Sequence, residues 1–499
     1  MKRISLGLLA ALLLLALVLV GNTLRQGSRQ LNPPALPKLA VDEAAVAQSM
    51  AAAVRAKTVS GLLDPVGVAA EFDALHAHLR QRYPLVHDKL QREVVGGHSL
   101  LFTWKGSNAQ LAPVALLAHQ DVVPIAPGTE PLWKQPPFAG VIEGGFVWGR
   151  GALDNKSNLI AQLEAAELLL KAGYQPQRTV YFVFGHDEEV GGQLGAAKIV
   201  ALLKERGVKL AWVLDEGLAV TEGILPGVKQ PLALIGLAEK GLVSLKLVAT
   251  TAPGHSSQPP AAGNSAIGML AAALTRLDAQ PMAGGIQGAA AEMFAAIGPE
   301  LPFAQRLAMS NLWLLKPVVE RQLDKGGATS ALLRTTTAMT VFNAGNKENV
   351  LPGRAEAIVN FRLLPGDTVE SVTAHVKRVV ADDRIEVQPL GAGSNPSKLS
   401  SSQTEPFKLV EQTVREVFPD AIVAPGLMLA ASDARHFDTI AEQSYRFMPV
   451  RFKAEDLKRV HGTDERIATG QLVDMVRFYH RLLTQAGSAT PSTGRGPTP

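Results

Sequence analysis

The chain has 499 residues, of which 47% are hydrophobic, and carries a formal net charge of +4 at pH 7. This length and apolar content allow a large buried core in more than one domain and exclude an intrinsically disordered protein. The net charge is small and the sequence has no cluster of lysine and arginine among aromatic residues, which argues against nucleic acid as a partner. Because the chain contains no cysteine, thiolate catalysis, disulfides and cysteine zinc sites are excluded, and any metal must be bound by His, Asp or Glu.

The amino terminus predicts a membrane-targeting segment. Lys2 and Arg3 precede a nearly unbroken apolar run over 4–20, which is typical of a signal sequence or a membrane anchor. No A-x-A cleavage site follows, so we expect an uncleaved signal-anchor helix over 1–24, with secretion after cleavage as the alternative. Residues 25–40 contain three prolines and are expected to form a linker. By the positive-inside tendency, the remaining chain is expected outside the cytoplasm, in the periplasm or an equivalent compartment.

Two motifs in the first part of the chain combine a buried-strand or helix pattern with possible metal ligands. The stretch PVALLAHQDVVP ends its apolar run at His119, and Asp121 is close enough to hold the second ring nitrogen of that imidazole. A histidine at the end of a strand is more often structural, so this motif alone leaves both interpretations open. The stretch WGRGALDNKSN places Asp154 just before a predicted helix, where it is either a helix cap or a carboxylate able to bridge two metal ions.

Three consecutive acids, 187–189, follow a predicted strand over 180–184. Gly191 and Gly192 allow a sharp turn after them, so we expect the acids at the carboxyl end of the strand, where open α/β sheets place ligands. Neighbouring side chains there point in different directions, so one carboxylate can bind a metal while the next serves as a general base. A solvated acidic turn is the alternative. The stretch LAWVLDEG again ends an apolar run in acids, which predicts Asp215 as a further oxygen ligand.

The order of these motifs resembles the zinc aminoacylase/carboxypeptidase superfamily of dinuclear metallopeptidases, and within it the branch of carboxypeptidase S and the N-fatty-acyl-amino-acid synthase/hydrolases. The similarity extends from about His119 to Arg466. It rests on these blocks of sequence: HQDVVP, GRGALDNKSN, HDEEVGG, LDEG, PGHSSQPP, ENVLPG, NFRLLPGD, SDARHF and VHGTDERI. The resemblance implies an α/β fold, in which a mixed-sheet dinuclear-metal hydrolase domain carries an inserted, smaller α+β lid domain.

Combined with the composition, the resemblance predicts a divided catalytic domain. The predicted segments, in chain order, are a signal-anchor helix (1–24), a linker (25–40), the first part of the catalytic domain (41–236), a lid domain that also mediates dimerisation (237–390), the second part of the catalytic domain (391–485) and a disordered tail (486–499). The partners implied are a small-molecule or peptide substrate, the membrane through the anchor, and a second copy of the chain through the lid domain.

The resemblance also implies a set of metal ligands. Two zinc ions, with cobalt or manganese as alternatives, would be bound by His119 and Asp215 on one ion, by Glu189 and His461 on the other, and by Asp154 as the bridge. Glu188 would be the general base that takes a proton from a metal-activated water, and Asp121 would orient His119. The bond between Asp154 and Asn155 is expected to be cis as in relatives, although many of them carry Asp where this chain has Asn155.

Four further residues are implied to reach the substrate. His255 would stabilise the oxyanion, Arg362 would pair with a substrate carboxylate, and Asn349 would also contact the substrate from the lid domain. Arg435, in the SDARHF block, is expected to line the substrate pocket. Ordinary loop structure is the alternative for the lid residues.

The predicted function is metal-dependent hydrolysis of an amide next to a free carboxylate, in N-acyl amino acids or small peptides. Reversal of the reaction would condense a fatty acid with an amino acid. The alternatives are a carboxypeptidase or dipeptidase with purely peptide substrates, and a non-catalytic binding protein on the same fold, which would have lost Glu188 or a ligand. Neither is lost in this sequence. An apolar stretch over 289–315 either receives lipophilic substrates or packs the core of the lid domain.

Overall fold

The computed structural model describes residues 2–34, 37–61, 65–225 and 227–488. Its helices are α1 (Lys2–Arg25), α2 (Glu43–Arg55), α3 (Pro65–Arg82), α4 (Pro84–Lys89), α5 (Lys156–Lys171), α6 (Ala196–Glu205), α7 (Ala266–Ala279), α8 (Gly288–Ile297), α9 (Phe303–Ser310), α10 (Leu312–Leu323), α11 (Gly327–Leu333), α12 (Val369–Val380), α13 (Glu405–Val417), α14 (Ala434–Phe437) and α15 (Thr469–Ala486). The predicted tail, 486–499, lies outside the described residues from 489 onward.

The strands form one large and three smaller sheets. They are β1 (Gln91–Val95), β2 (Ser99–Trp104), β3 (Val114–His119), β4 (Val141–Glu143), β5 (Phe146–Trp148), β6 (Val180–Gly185), β7 (Leu210–Asp215), β8 (Val220–Glu222), β9 (Leu232–Glu239), β10 (Gly241–Thr250), β11 (Gly254–His255), β12 (Thr336–Ala344), β13 (Val350–Leu351), β14 (Arg354–Leu363), β15 (Ile385–Pro389), β16 (Ile422–Met428), β17 (Ala441–Arg446), β18 (Arg451–Lys453) and β19 (Arg466–Ala468). The smaller sheets have the orders β12-β14-β10-β15, β19-β5-β4 and β11-β13.

The large sheet has ten strands in the order β1-β2-β6-β3-β7-β17-β9-β8-β18, with β16 also paired to β9. Strands β6, β3, β7 and β17 at its centre run parallel. Antiparallel pairs flank them: β1 with β2, β2 with β6, and β9 with both β17 and β8. The predicted mixed-sheet α/β fold is therefore confirmed. Because the central strands are parallel, β3, β6 and β7 all end at the same edge, with His119 of β3 opposite Gly185 of β6. That edge is where open α/β sheets bind ligands.

Helices cover both faces of this sheet. Along β3, Leu116 packs into one buried core with α5 and α15, and Leu117 packs into the other with α6, because successive side chains of a strand point to opposite faces. Both leucines are about 1% exposed, which explains why the strand is uniformly apolar. Replacing either leucine with alanine should lower the free energy of unfolding by about 2–5 kcal/mol.

The lid domain has its own core. Its antiparallel sheet of β12, β14, β10 and β15 packs one face against α7 and α12, and β10 alternates accordingly, with Val243, Leu245 and Leu247 fully buried on the inner face. The opposite face is partly exposed along β10. This alternation is typical of an antiparallel sheet that is covered on one side only.

The helices α8 to α11 form a helical insertion (288–333) that packs against the large sheet. Met293 and Phe294 of α8 are buried against β16, in a core cluster separate from that of the lid sheet. Phe303 and Trp313 are instead exposed. The apolar residues of this stretch therefore divide between a contact with the catalytic domain and the protein surface, which neither of the sequence-based interpretations described.

The amino-terminal helix is long and apolar enough to cross a membrane, over Leu6–Arg25 with a mean hydropathy of 2.4. Its carboxyl-terminal turns pack against α9. The linker that follows is fixed to the catalytic domain: the Gln30 amide pairs with both main-chain groups of Val423 on β16, and Arg415 donates to the Leu31 carbonyl oxygen at 2.8 Å. These contacts hold the linker along the protein surface.

Candidate metal centre

Side chains from five separate chain segments meet at the carboxyl edge of the large sheet. They are His119, Asp154, Glu189, Glu216 and His461. His119 Nε2 lies 3.0 Å from Asp154 Oδ1 and 3.2 Å from Glu216 Oε1. His461 Nε2 lies 3.1 Å from both Asp154 Oδ2 and Glu189 Oε2. The Asp154 carboxylate therefore belongs to both groups of three candidate ligands and faces one histidine with each oxygen.

The expectation for Asp215 requires a correction, because the structure places Glu216 beside His119 instead. Asp215 is the last residue of β7, and its carboxylate accepts hydrogen bonds from the backbone N–H groups of Glu216 at 2.8 Å and Ala434 at 2.7 Å. Both of its oxygens thus hold the turn after β7 and the start of α14. Since consecutive side chains at a strand end point in different directions, only one of the two acids can face the cluster.

The Asp154 loop is held by hydrogen bonds that also reach the ligands. The peptide bond between Asp154 and Asn155 is cis, as the resemblance implies. The Asn155 side-chain amide donates a hydrogen bond to Glu216. An amide at this position can donate to the Glu216 carboxylate, whereas an aspartate there would place a second negative charge against it.

A buried ion pair joins the Asp154 loop to the His461 loop. Arg150 Nη1 lies 2.6 Å from Glu465 Oε2, and both side chains are at most 2% exposed. Glu465 Oε1 accepts from the backbone N–H groups of Leu153 at 2.8 Å and Asp154 at 3.1 Å, and Arg150 Nη2 donates to the His461 carbonyl oxygen at 3.1 Å. The pair thereby fixes the backbone positions of two proposed ligands.

His119 is oriented by the residue predicted for that role, mainly through its main chain. His119 Nδ1 lies 2.9 Å from the Asp121 carbonyl oxygen and 3.4 Å from its carboxylate. A proton on Nδ1 that donates to this carbonyl leaves the Nε2 lone pair facing the cluster. The Asp121 carboxylate accepts from the backbone N–H groups of Glu188 at 3.2 Å and Glu189 at 3.1 Å. Asp121 thus holds the acidic loop in addition to the histidine.

The acidic loop is one turn of 3-10 helix, Glu188–Val190, which begins after β6. It turns sharply at Gly192, where φ is 68° and a Cβ atom would collide with Asp433 Oδ1. Asp433 belongs to the SDARHF block and is 4% exposed. The loop therefore requires glycine at this position both for its backbone conformation and for the close approach of a buried carboxyl group.

The electrostatics of the cluster are those of crowded buried carboxylates around two imidazoles. Removal from solvent raises the pKa of Glu188 well above its usual range, and although His119 opposes this, the nearby Glu216 adds to it. Burial likewise raises the pKa of Glu216 to about 8. Hydrogen bonds that the His461 ring donates to the carboxylates of Asp154 and Glu189 raise the pKa of His461 to about 10. Such a site holds protons where no cation neutralises it, and divalent metal binding releases those protons.

The residues fit a pair of divalent metal ions. Each group of three ligands places its nitrogen and oxygen atoms within 4.8 Å of one another. Glu189 Oε1 is buried without a hydrogen-bond partner among the described residues, which leaves an oxygen available to a cation. Histidine nitrogen combined with carboxylate oxygen is a donor set that zinc, cobalt and manganese accept.

The four residues predicted to reach the substrate lie outside this cluster. His255 on β11 and Asn349 before β13 are exposed in the two-stranded sheet, where His255 Nδ1 is 2.8 Å from Ser257 Oγ. Arg362 is exposed on β14, and Arg435 is partly buried on α14. Within the part of the chain that the structure describes, no hydrogen bond or ion pair joins these four to the metal ligands. Their substrate roles stay predictions.

Sequence reasoning missed Glu216, Glu465 and Arg150 as parts of the site. The signal for Glu216 was present, since the LDEG block carries two adjacent acids, but the end of the strand had to be known to choose between them. Glu465 and Arg150 lie inside the VHGTDERI and GRGALDNKSN blocks. Fully buried charged residues are usually paired, so Arg150 and Glu465, in separate motif blocks, were candidates for a buried ion pair.

A mixed sheet whose carboxyl edge gathers two histidines and two glutamates around one shared aspartate defines a metallohydrolase of the metallopeptidase type. The family model "Peptidase family M20/M25/M40" matches residues 115–485, and the chain belongs to this family of metal-dependent enzymes. The resemblance drawn from the motifs, including its branch, is confirmed.

The similar proteins cover nearly the whole chain. The Bos taurus N-fatty-acyl-amino acid synthase/hydrolase PM20D1 is 41% identical over 496 residues, covering 97% of each chain. A probable carboxypeptidase S-like 2 of Dictyostelium discoideum is 38% identical over 482 residues, covering 94% of this chain and 91% of its own. Among solved structures, the Sulfolobus solfataricus M20 metallo-carboxypeptidase Sso-CP2 is similar with a TM-score of 0.62 at 19% identity, covering 89% of this chain and 99% of its own. That last likeness supports the fold alone.

Proposed function

We propose that this enzyme hydrolyses the amide bond of N-fatty-acyl amino acids at a pair of zinc ions. The observation that carries the proposal is the Asp154 carboxylate shared by two groups of three candidate ligands, with Glu188 beside them. Similarity over the whole chain to a protein named N-fatty-acyl-amino acid synthase/hydrolase supports this substrate class. The exposed apolar side chains of the helical insertion are consistent with a lipophilic environment.

The proposed metal ligands are His119, Glu216 and Asp154 for one ion, and Glu189, His461 and Asp154 for the other. When bound, the ions lower the pKa of water and polarise the substrate carbonyl. Glu188 accepts a proton from the attacking water as its oxygen bonds to the carbonyl carbon. The same carboxyl group then delivers that proton to the amide nitrogen as the carbon–nitrogen bond breaks, which leaves a free fatty acid and an amino acid.

Residues outside the cluster prepare Glu188 for this role. Removal from solvent, the main cause, raises the pKa of Glu188 above its usual range, which makes its carboxylate a stronger proton acceptor. Its backbone is held by the Asp121 carboxylate. We further propose that His255 supports the oxyanion, that Asn349 and Arg435 contact the substrate, and that Arg362 pairs with the carboxylate of the amino acid product.

Location and assembly are part of the proposal. We infer that α1 is retained as a membrane anchor with the catalytic domain outside the cytoplasm, because the helix is long and apolar enough to span and follows two basic residues. We also infer a homodimer through β12, an edge strand of the lid sheet that exposes Met339, Val341 and Phe342.

A substrate screen tests the proposed function. The purified protein, supplied with zinc, cobalt or manganese, is assayed on long-chain N-acyl amino acids, N-acetyl amino acids and dipeptides. We expect kcat/KM to be largest for the long acyl chains. A preference for dipeptides would favour the carboxypeptidase or dipeptidase alternative, and a preference for acetyl amino acids would count against the fatty-acyl class. Incubation with free fatty acid and amino acid tests the reverse reaction.

A further inference from the structure

One helix of the insertion exposes an apolar stripe that no element within residues 2–34, 37–61, 65–225 and 227–488 covers. Trp313, Leu314 and Val318 of α10 are 63%, 41% and 67% exposed, and Leu314 and Val318 are one helical turn apart. Pro317 between them is also exposed. We call these four residues the α10 stripe. Side chains this large are seldom exposed together on a soluble protein surface unless they bind something.

The end of α1 is fixed beside the start of this stripe. Asn311, the residue before α10, is fully buried, and its side-chain amide donates to the Leu19 carbonyl oxygen at 3.1 Å. Its Oδ1 accepts from the Asn22 side chain at 3.0 Å. Ser310, the residue before Asn311, donates from Oγ to Gln26 Oε1 at 3.1 Å. The helix that is apolar enough to span a membrane therefore leaves the membrane next to the α10 stripe.

The linker after α1 also holds α1 close to the protein. Gln30 is paired with the main chain of Val423 on β16, and the Leu31 carbonyl oxygen accepts from Arg415. Because α8 packs against the same strand, α1, the linker and the helical insertion form one connected structure. A catalytic domain attached in this way cannot stand away from the bilayer that α1 spans.

The charge around the stripe also suits a bilayer surface. Lys316, Arg321 and Lys325 of α10 and the following turn are exposed. Glu320 is half-buried and accepts from the Ile286 backbone N–H at 2.7 Å, and Lys316 Nζ lies 3.7 Å from the same Glu320 oxygen. Basic side chains at the edge of an apolar patch are attracted to anionic lipid headgroups. Tryptophan, as at Trp313, is favoured at the interface between headgroups and hydrocarbon.

We propose that the α10 stripe inserts into the interfacial layer of the bilayer in which α1 is anchored, as a second contact of this enzyme with the membrane. The proposal rests on the membrane location given under the proposed function. Two contacts, one spanning helix and one interfacial helix, fix the orientation of the domain on the bilayer. The helical insertion then lies between the lipid surface and strand β16.

The absence of native cysteine allows a direct test with single labels on the full-length protein. Val318→Cys places a fluorophore on the stripe, and Ile142→Cys places the same fluorophore on β4, at a position 46% exposed and outside the stripe and the metal centre. Both variants are reconstituted in vesicles of phosphatidylethanolamine and phosphatidylglycerol, and only protein that floats with the vesicles is measured. Quenching by brominated lipid chains and by aqueous iodide is then compared.

We expect the label at 318 to be quenched by brominated lipid about threefold or more strongly than the label at 142, and to be protected from iodide. Equal quenching at the two positions, or protection of position 318 from both quenchers, as burial against a second copy would give, overturns the proposal. Protein that fails to float contradicts the anchor and the proposal together. Hydrolysis of a soluble N-acyl amino acid is measured on the same samples, so that a failure of the proposed function is seen separately.

Discussion

The Asp121 carboxylate accepts a hydrogen bond from the backbone N–H of Glu188, with 3.2 Å between Oδ1 and the nitrogen. The other oxygen accepts from the backbone of Glu189, and the Asp121 carbonyl faces His119 Nδ1. One buried residue therefore sets the positions of a proposed ligand from β3, a proposed ligand after β6 and the proposed general base.

Asp121→Asn should lower kcat by about 10- to 100-fold, the range for groups that orient metal ligands. An asparagine keeps one acceptor oxygen but turns an NH2 group toward a backbone N–H, so one loop hydrogen bond is lost. Measurements of kcat and of bound metal check this. Asp187→Asn is the matched control, because Asp187 also accepts two backbone N–H groups, from Leu194 and Gly195. The Asp187→Asn variant should lose a similar amount of stability and keep its metal affinity. Equal loss of metal in both variants would contradict the proposed role of Asp121.

Glu188→Gln should leave both metal ions bound and lower kcat by about two to four orders of magnitude, because the amide cannot accept the proton. Glu189→Gln should instead weaken the ion that His461 also binds, since it removes a charged ligand. Elemental analysis and kinetics of the two variants distinguish these outcomes. If both variants lose metal equally, the division of roles between the two adjacent acids is wrong.

Glu216→Gln should weaken the ion that His119 binds, whereas Asp215→Asn should keep the ligand set. The reason is that Asp215 already accepts from two backbone N–H groups, so its substitution costs stability, about 1–3 kcal/mol for a buried group left unsatisfied. Metal titration and thermal unfolding of both variants provide the test. Retention of metal in Glu216→Gln with loss in Asp215→Asn would restore the assignment made from the sequence.

Much of the fold and of the centre could be predicted because strand periodicity is local. The apolar runs that end at His119 and before Asp187 determine which edge of the sheet receives the ligands, whatever the rest of the chain does. The choice between Asp215 and Glu216 was not local, since it depends on where β7 stops pairing with β3 and β17. Because Asp215 and Glu216 are adjacent and chemically similar, the sequence alone does not indicate at which of them the strand ends.

The helical insertion shows a second limit. An amphipathic helix such as α8 requires an apolar partner, but its sequence does not say which one. Met293 and Phe294 pack against β16, some 130 residues later in the chain. Trp313 is exposed and has no apolar partner within the described chain. The linker was similarly undetermined, because the hydrogen bonds that hold Gln30 come from the main chain of β16 and leave no pattern in the linker itself.

Removal of metal should abolish activity and also destabilise the fold. Elemental analysis of active protein is expected to give two ions per chain, because Asp154 faces one histidine with each oxygen. Once a chelator removes the ions, Asp154, Glu189 and Glu216 remain close together and retain only protons to balance their charge. Since a ligand that binds only the folded state stabilises it by about 2.7 kcal/mol at a hundredfold excess over its Kd, Tm should fall on chelation and recover when zinc is restored. Glu188→Gln, which keeps every proposed ligand, should show the same fall in Tm without regaining activity. A metal content near zero with activity intact after chelation would contradict the dinuclear centre.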